Sequence, residues 1–248
     1  MWQEFIRLRE EYLKQTITQN DAYREYLRDH FLYEIFQLSD HLRPEEEFQL
    51  IIHTNKRPHQ PAQLQAYDLW QAWCYTKTQA SQHQPFSMEL VRKINEKVMK
   101  HTGKETTTTV GRYDSSLGDF RLGEDYNAIY PIANYAKIPD LLMSLCRQVN
   151  VQLQDFGVVH LIKTAINYFF EFAHIKPFGA GNIETGMLTM NYLFLYHQQP
   201  LLIIFAEDRS QALNAIKSRD TSQTPEEFEN FMLQEQIKFL KRELGQKN

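Results

Sequence analysis

The stretch Phe170–Met187 sets three side chains able to do acid–base or electrostatic work, His174, Lys176 and Glu184, inside a run of apolar and turn-forming residues. Phe170-Glu171-Phe172-Ala173-His174-Ile175 reads as the end of an apolar helix. Lys176-Pro177-Phe178-Gly179-Ala180-Gly181 reads as a punctuated turn, and Asn182 onward as the start of a second helix. The first-turn N–H groups of a helix have no partner inside it, so a loop ending there can hold an anion. Two features work against that chemistry. Glu184 falls in the first turn, where it repels an anion, and Lys176 could take a proton only if burial lowered its pKa by several units from roughly 10.4. His174 stands two positions before Lys176 at the helix end, so it should point elsewhere and act as a satisfied structural histidine.

The elements that position this turn follow from the apolar period. Val158, Val159, Leu161, Ile162, Ile166, Phe169, Phe170 and Phe172 make Phe156–His174 apolar nearly all round, and Met187–Tyr196 is similar. These two segments are expected to pack as a core hairpin. Helical spacing recurs from Trp2 to Ile17, from Tyr23 to Leu38 behind an Asn20/Asp21 cap, after Pro44, from Gln63 to Thr78, after Ser87, after Pro139 and from Asp208 to Arg219. Thr224-Pro225-Glu226-Glu227 is a capping box that starts a last helix. Thr106–Thr109 looks like an exposed extended arm. Between Gly111 and Pro139 the helical period disappears, and Phe120-Arg121-Leu122 with Ala128-Ile129-Tyr130 is expected to form a short β-hairpin.

Composition excludes several function classes. The 248 residues are 42% hydrophobic with a net charge of -4, which suits a folded chain without the basic field that nucleic acid or an acidic membrane would need. No run approaches the roughly 18 apolar residues of a membrane helix. The first fifteen residues carry Arg7, Arg9, Glu10, Glu11 and Lys14, so they form no signal-peptide core. Cys74 and Cys146 lie in apolar helical patterns and are expected to be buried thiols. A soluble, cytoplasmic protein is the expectation. Residues 1–86 are expected to be a helical region packed on a core domain of residues 87–248.

A central helix, the Ile-x-Pro-Phe-x-x-Gly-Asn turn and a following helix together resemble the Fic (Fido) family. Gly111-Arg112-Tyr113, Phe120-Arg121-Leu122, Ile138-Pro139 and Glu207-Asp208-Arg209 extend the likeness from about Ser87 to Leu240. The resemblance implies a mainly α fold, a Fic-type bundle around a buried helix hairpin, with one β-hairpin flap that aligns a target chain. It also implies transfer of AMP, or a related phosphate-containing group, from a nucleotide to a protein hydroxyl. In the family motif H-P-F-x-(D/E)-G-N-G-R-x-x-R the His removes the hydroxyl proton, the acid binds magnesium, and the backbone and arginines hold phosphates.

This chain keeps Pro177, Phe178, Gly181 and Asn182 of that motif and loses its reactive members. Lys176 stands at the His, Ala180 at the acid, Ile183 at the second Gly, Glu184 at the first Arg and Met187 at the last. The expectation is a pseudoenzyme, a protein-binding or regulatory module. Its flap residues Phe120, Arg121, Leu122, Ile129 and Tyr130 should meet a protein partner, and Pro177, Phe178, Gly181, Asn182, Ile183 and Glu184 form the remnant of an anion site. The alternative is a divergent transferase using Lys176 or another residue; a host-directed effector is also open. ATP and magnesium enter by resemblance alone, and no metal ligand set is identified. Glu184 is expected to pair with Lys176 across the empty site. Ser39–Pro44 is a weak counterpart of an inhibitory helix, with Arg43 and Pro44 where that motif has Glu and Gly.

Overall fold

The computed structural model describes residues 1–15, 20–41, 43–54, 56–154, 157–217 and 226–245. Ile17, Phe156, Thr224 and Pro225, each part of a helix expectation above, lie outside the described residues. By its contacts the chain forms two compact units, residues 41–200 and residues 1–40 with 201–248. This grouping differs from the division at 86/87: residues 41–86 share a unit with the buried hairpin, and residues 201–248 join the chain's start.

In the unit of residues 41–200 the helices are α3 (Glu45–Thr54), α4 (Pro61–Ser81), α5 (Met88–Val98), α6 (Ile138–Gln152), α7 (Val158–Ile175) and α8 (Asn182–Tyr196). Its two strands are β1 (Glu105–Thr108) and β2 (Gly111–Asp114). α7 and α8 pack on each other as the core hairpin, with α4 and α5 against α8 and α6 against α7. Every residue of α8 from Thr185 to Phe194 is buried. Each fully buried large side chain there contributes roughly 1.5–3 kcal/mol. Gly186 lets the two helices approach, since a Cβ at that position would lie 3.0 Å from Phe169 and 3.1 Å from Phe172. Two polar side chains between these helices are paired: Tyr168 donates to Thr189 Oγ1 at 2.9 Å, and Thr189 donates to the Thr185 carbonyl at 2.6 Å. Cys146 is buried, and burial pushes its thiol up to about 12.

Caps fall where the residue types require. Ser87 Oγ accepts from the Leu90 N–H at 3.1 Å and Pro61 opens α4. The hairpin is displaced from the position expected. β1 and β2 pair antiparallel with Glu105 opposite Asp114 and Thr108 opposite Gly111, whereas Phe120–Tyr130 forms no hairpin. The β-branched run Thr106–Val110 supplies the strand preference, and Thr108 Oγ1 closes the turn by donating to the Gly111 carbonyl at 3.0 Å. The Phe120–Tyr130 segment cannot run as a ladder because its hydrogen bonds go elsewhere: Phe120 bridges to Phe178, and the Arg121 N–H donates to the Pro177 carbonyl at 2.9 Å.

The other unit contains α1 (Trp2–Leu13), α2 (Asp21–Leu38), α9 (Arg209–Lys217) and α10 (Glu226–Glu243). Asn20 caps α2 through its side-chain oxygen, 2.8 Å from the Ala22 N–H. α1 and α9 pack on α10, and Trp2 Nε1 donates to Glu229 at 2.9 Å. Leu202, Ile203, Ile204 and Phe205 are buried. No helix among the described residues is long and apolar enough to cross a membrane.

Candidate active-site loop

The loop begins where α7 ends. Lys176 caps that helix in the left-handed conformation, φ 44°, which costs a non-glycine residue roughly 1–2 kcal/mol. Its N–H still closes the helix by donating to the Phe172 carbonyl at 2.9 Å. Arg121 holds this strained turn in place. Its Nε donates to the Lys176 carbonyl at 2.7 Å and one guanidinium nitrogen to the Gly123 carbonyl at 3.1 Å, while the other reaches the Ala133 carbonyl. A guanidinium over the last carbonyls of a helix meets the negative end of its dipole. Burial lowers the pKa of Arg121, opposed by the charges of Asp125 and Glu124.

Each following residue is fixed by a different neighbour. Phe178 is fully buried, with its ring 5.7 Å from that of Phe120 and 6.4 Å from that of Phe172. Gly179 lies under Tyr113 of β2, whose hydroxyl would be 2.4 Å from an added Cβ. The Ala180 carbonyl accepts from Asn95 Nδ2 at 3.1 Å, and the same nitrogen donates to Thr185 Oγ1 at 3.0 Å. Gly181 takes φ 72° with Met99 Sδ 2.8 Å from where a Cβ would sit, so a larger residue would meet both strain and a clash. Asn182 bonds twice to Phe178, accepting from its N–H at 3.1 Å and donating to its carbonyl at 2.8 Å. Pro177, Phe178, Gly181 and Asn182 therefore shape the turn with their own atoms.

The charges are arranged differently from the sequence expectation. Lys176 and Glu184 do not pair. Lys176 Nζ bonds to Asp125 instead, and Glu184 Oε1 lies 3.5 Å from His41 Nε2, an ion pair when the imidazole is protonated. Burial works to raise the Asp125 carboxyl, but the bond and charge of Lys176, with the Asn127 N–H, hold it below its ordinary value. Both cation and anion found partners outside the motif, one in residues 120–131 and one ahead of α3. Ile183 is half-buried beside Glu184 in the first turn of α8.

His174 is buried, with Nδ1 2.9 Å from the Phe170 carbonyl and its ring 4.7 Å from Phe170. Of the residues expected to meet a partner, Arg121 is the clear correction: it is 3% exposed and turned inward on backbone carbonyls. Phe120, Leu122 and Tyr130 are half-buried; burial raises the Tyr130 hydroxyl to about 12. Ile129 is exposed, as is Tyr126 beside it at 93%.

Asp125, His41, Asn95 and Tyr113 are the loop partners that the sequence reading left out. Asn95 carried a signal: it is a polar residue on the apolar face that Val91, Ile94 and Val98 define, and it is fully buried. ATP and magnesium do not fit the residues present. Ala180 offers no carboxylate, Glu184 sets a negative charge in the first turn of α8, and the one loop ammonium is held by Asp125. Among the described residues no group of three or more His, Cys, Asp or Glu side chains is placed to hold a metal.

Comparison with known proteins agrees with the architecture. Residues 85–194 match the Fic/DOC family. No curated protein matches the chain by sequence. Among solved structures, a Fic-domain signaling protein from Bacteroides thetaiotaomicron is 17% identical with a TM-score of 0.73, and 99% of each chain is covered. A Fic family protein from Desulfovibrio desulfuricans is 14% identical with a TM-score of 0.72, covering 98% of this chain and 72% of that one. Fic-1 from C. elegans is 14% identical with a TM-score of 0.69, covering 98% and 70%. These likenesses are of fold.

Proposed function

We propose that this Fic-fold protein, whose residues 85–194 match the Fic/DOC family, is a pseudoenzyme that works as a protein-binding or regulatory module. The observation that carries the reading is the pairing at the loop. Lys176 is bound to Asp125, and Glu184 with His41 fills the first turn of α8. An ammonium already bonded to a carboxylate is a poor base, and loss of a general base typically costs about 100-fold to 10,000-fold in rate. A carboxylate in place of a phosphate-binding cation adds a repulsion on the order of 4 kcal/mol per contact at 4 Å and an effective dielectric near 20.

What the loop lost in charge it kept in shape, and the surface around it suits a protein partner. Among the described residues β1 and β2 pair with each other alone, so an extended segment can add to an outer edge. Tyr126, Ile129, Val110 and Leu117 are exposed on the hairpin and the segments that follow it.

Incubation with labelled ATP and candidate proteins, read by intact mass, tests the reading. The expected result is no nucleotide transfer by the wild-type chain. A modified protein whose label disappears with Lys176→Ala would overturn it in favour of a divergent transferase. The combined variant Lys176→His, Ala180→Asp, Ile183→Gly and Glu184→Arg asks how far the pocket has changed: self-modification would place the whole loss in the motif.

A further inference from the structure

In the unit formed by residues 1–40 and 201–248, two consecutive backbone N–H groups each end on a carboxylate from a different helix. Phe205 donates to Glu235 Oε2 of α10 at 2.7 Å, and Ala206 donates to Glu34 Oε2 of α2 at 2.6 Å. Glu235 is 3% exposed and Phe205 is buried. One turn further, Lys238 bonds to both Glu207 and Asp208. Arg242 bonds to Glu207 at 2.8 Å. Both cations lie over the Phe205 ring, Lys238 Nζ at 4.6 Å and the Arg242 guanidinium at 4.3 Å from its centroid.

We infer that residues 205–208 are a proton-linked latch that fastens the N-terminal helix α2 to the C-terminal helix α10, and that it loosens when Glu235 gives up its proton. The charge count around Glu235 is the reason. Asp208 acts on it from the turn before α9 and Lys238 from α10 itself, Glu4 of α1 and Lys241 of α10 line the same groove, and Glu34 with His30 of α2 and Glu207 with Arg242 stand at the neighbouring contacts of the latch. Lys241 is engaged by Glu4 at 3.1 Å. His30 lies 3.6 Å from Glu34. Lys238 and Arg242 already serve Glu207 and Asp208. A further negative charge on Glu235 would be left with shared cations and a neighbouring carboxylate.

Burial first, then Asp208, pushes the Glu235 carboxyl up to about 7, against the lowering effect of the Phe205 N–H and Lys238. Burial also raises Glu34, offset in part by the Ala206 N–H and His30. The sign is the reverse of an ordinary surface acid. A carboxyl raised in the closed state binds its proton there more tightly than in the open state, so closure weakens as pH rises from the ordinary carboxylate value through the raised one. Protons have access, because Glu235, Asp208 and Lys238 line an open groove with Phe231 and Ile237.

The test is hydrogen exchange of the backbone over residues 201–208 in the full chain, followed by mass spectrometry and corrected for the intrinsic pH dependence of exchange. Protection in the wild type should fall roughly 30-fold between about pH 5.5 and about pH 8. Glu235→Gln keeps a neutral acceptor for the Phe205 N–H and cannot titrate, so its corrected protection should keep only the shallower slope that Glu34 contributes. An equal slope in wild type and Glu235→Gln overturns the latch, and so does wild-type protection that rises with pH. If Glu235→Gln does not fold, Asp208→Asn serves: it removes the facing carboxylate and should shrink the slope by lowering the Glu235 carboxyl, and an unchanged slope overturns the latch.

Discussion

Removing the Arg121 guanidinium should loosen the loop that the rest of this domain positions. The side chain gives three short bonds to backbone carbonyls, at 2.7 Å to Lys176, at 3.1 Å to Gly123 and to Ala133, and a longer contact of 3.4 Å to Ile175. Hydrogen bonds from a charged donor are worth about 1.5–3 kcal/mol each, so the three sum to roughly 6 kcal/mol gross. Burying the charge costs several kcal/mol back. The net loss for Arg121→Met, which keeps the packed stem, should therefore be about 3 kcal/mol. Arg121→Lys retains the charge but not the planar fork that spans three carbonyls, and should lose less than the methionine variant. Urea titration gives the total, and amide exchange over residues 172–178 reports whether the loss is local to the end of α7. A methionine variant within 1 kcal/mol of wild type, or a lysine variant less stable than it, would refute the clamp.

Three further changes test other contacts. The Asp125 carboxyl is held below its ordinary value by Lys176, once its opposing burial is overcome; it adds stability above the ordinary carboxylate value and loses it as pH falls through its own lowered one. Asp125→Asn should flatten that acid limb in a urea titration series. Asp68 of α4 is fully buried and accepts from the His101 N–H at 2.8 Å and meets His101 Nδ1 at 2.6 Å, so Asp68→Ala should cost about 2 kcal/mol in the same assay. Gly186→Ala brings a methyl within 3.0 Å of Phe169 and should cost about 1–3 kcal/mol by overpacking, read as a lower melting temperature.

The parts of this fold that local physics decides were legible. α7 and α8 announce themselves by apolar residues on all sides, and Asn20 and Ser87 cap helices where their side chains can reach a first-turn N–H. The hairpin was misplaced because both candidate segments carry β-favouring residues between glycines, and what separates them is long-range. Arg121 commits its segment to carbonyls more than fifty residues away, a demand that no spacing pattern displays. The charge partners were invisible for the same reason. Asp125 reaches Lys176 across 51 positions, and His41 meets Glu184 across a still longer gap, so pairing Lys176 with Glu184, its neighbour in sequence, was the natural inference and the wrong one.

That pairing changes what restoring the motif should do. A loop that had merely lost its reactive residues would carry unanswered charges, and putting the family residues back would relieve them. Here Lys176 and Glu184 each have a partner that the family motif does not include. Lys176→His would replace the ammonium bonded to Asp125 by a group charged only part of the time near neutrality. Glu184→Arg would remove the carboxylate that His41 faces at 3.5 Å and set a guanidinium in its place. The combined motif variant should therefore be less stable than wild type. Adding His41→Ala should return the part due to the arginine, and adding Asp125→Asn the part due to the unpaired carboxylate. Melting curves of the three variants separate the two contributions. A motif variant as stable as wild type would mean that the two pairs are incidental, and that the loop keeps its form through Arg121, Asn95 and Asn182 alone.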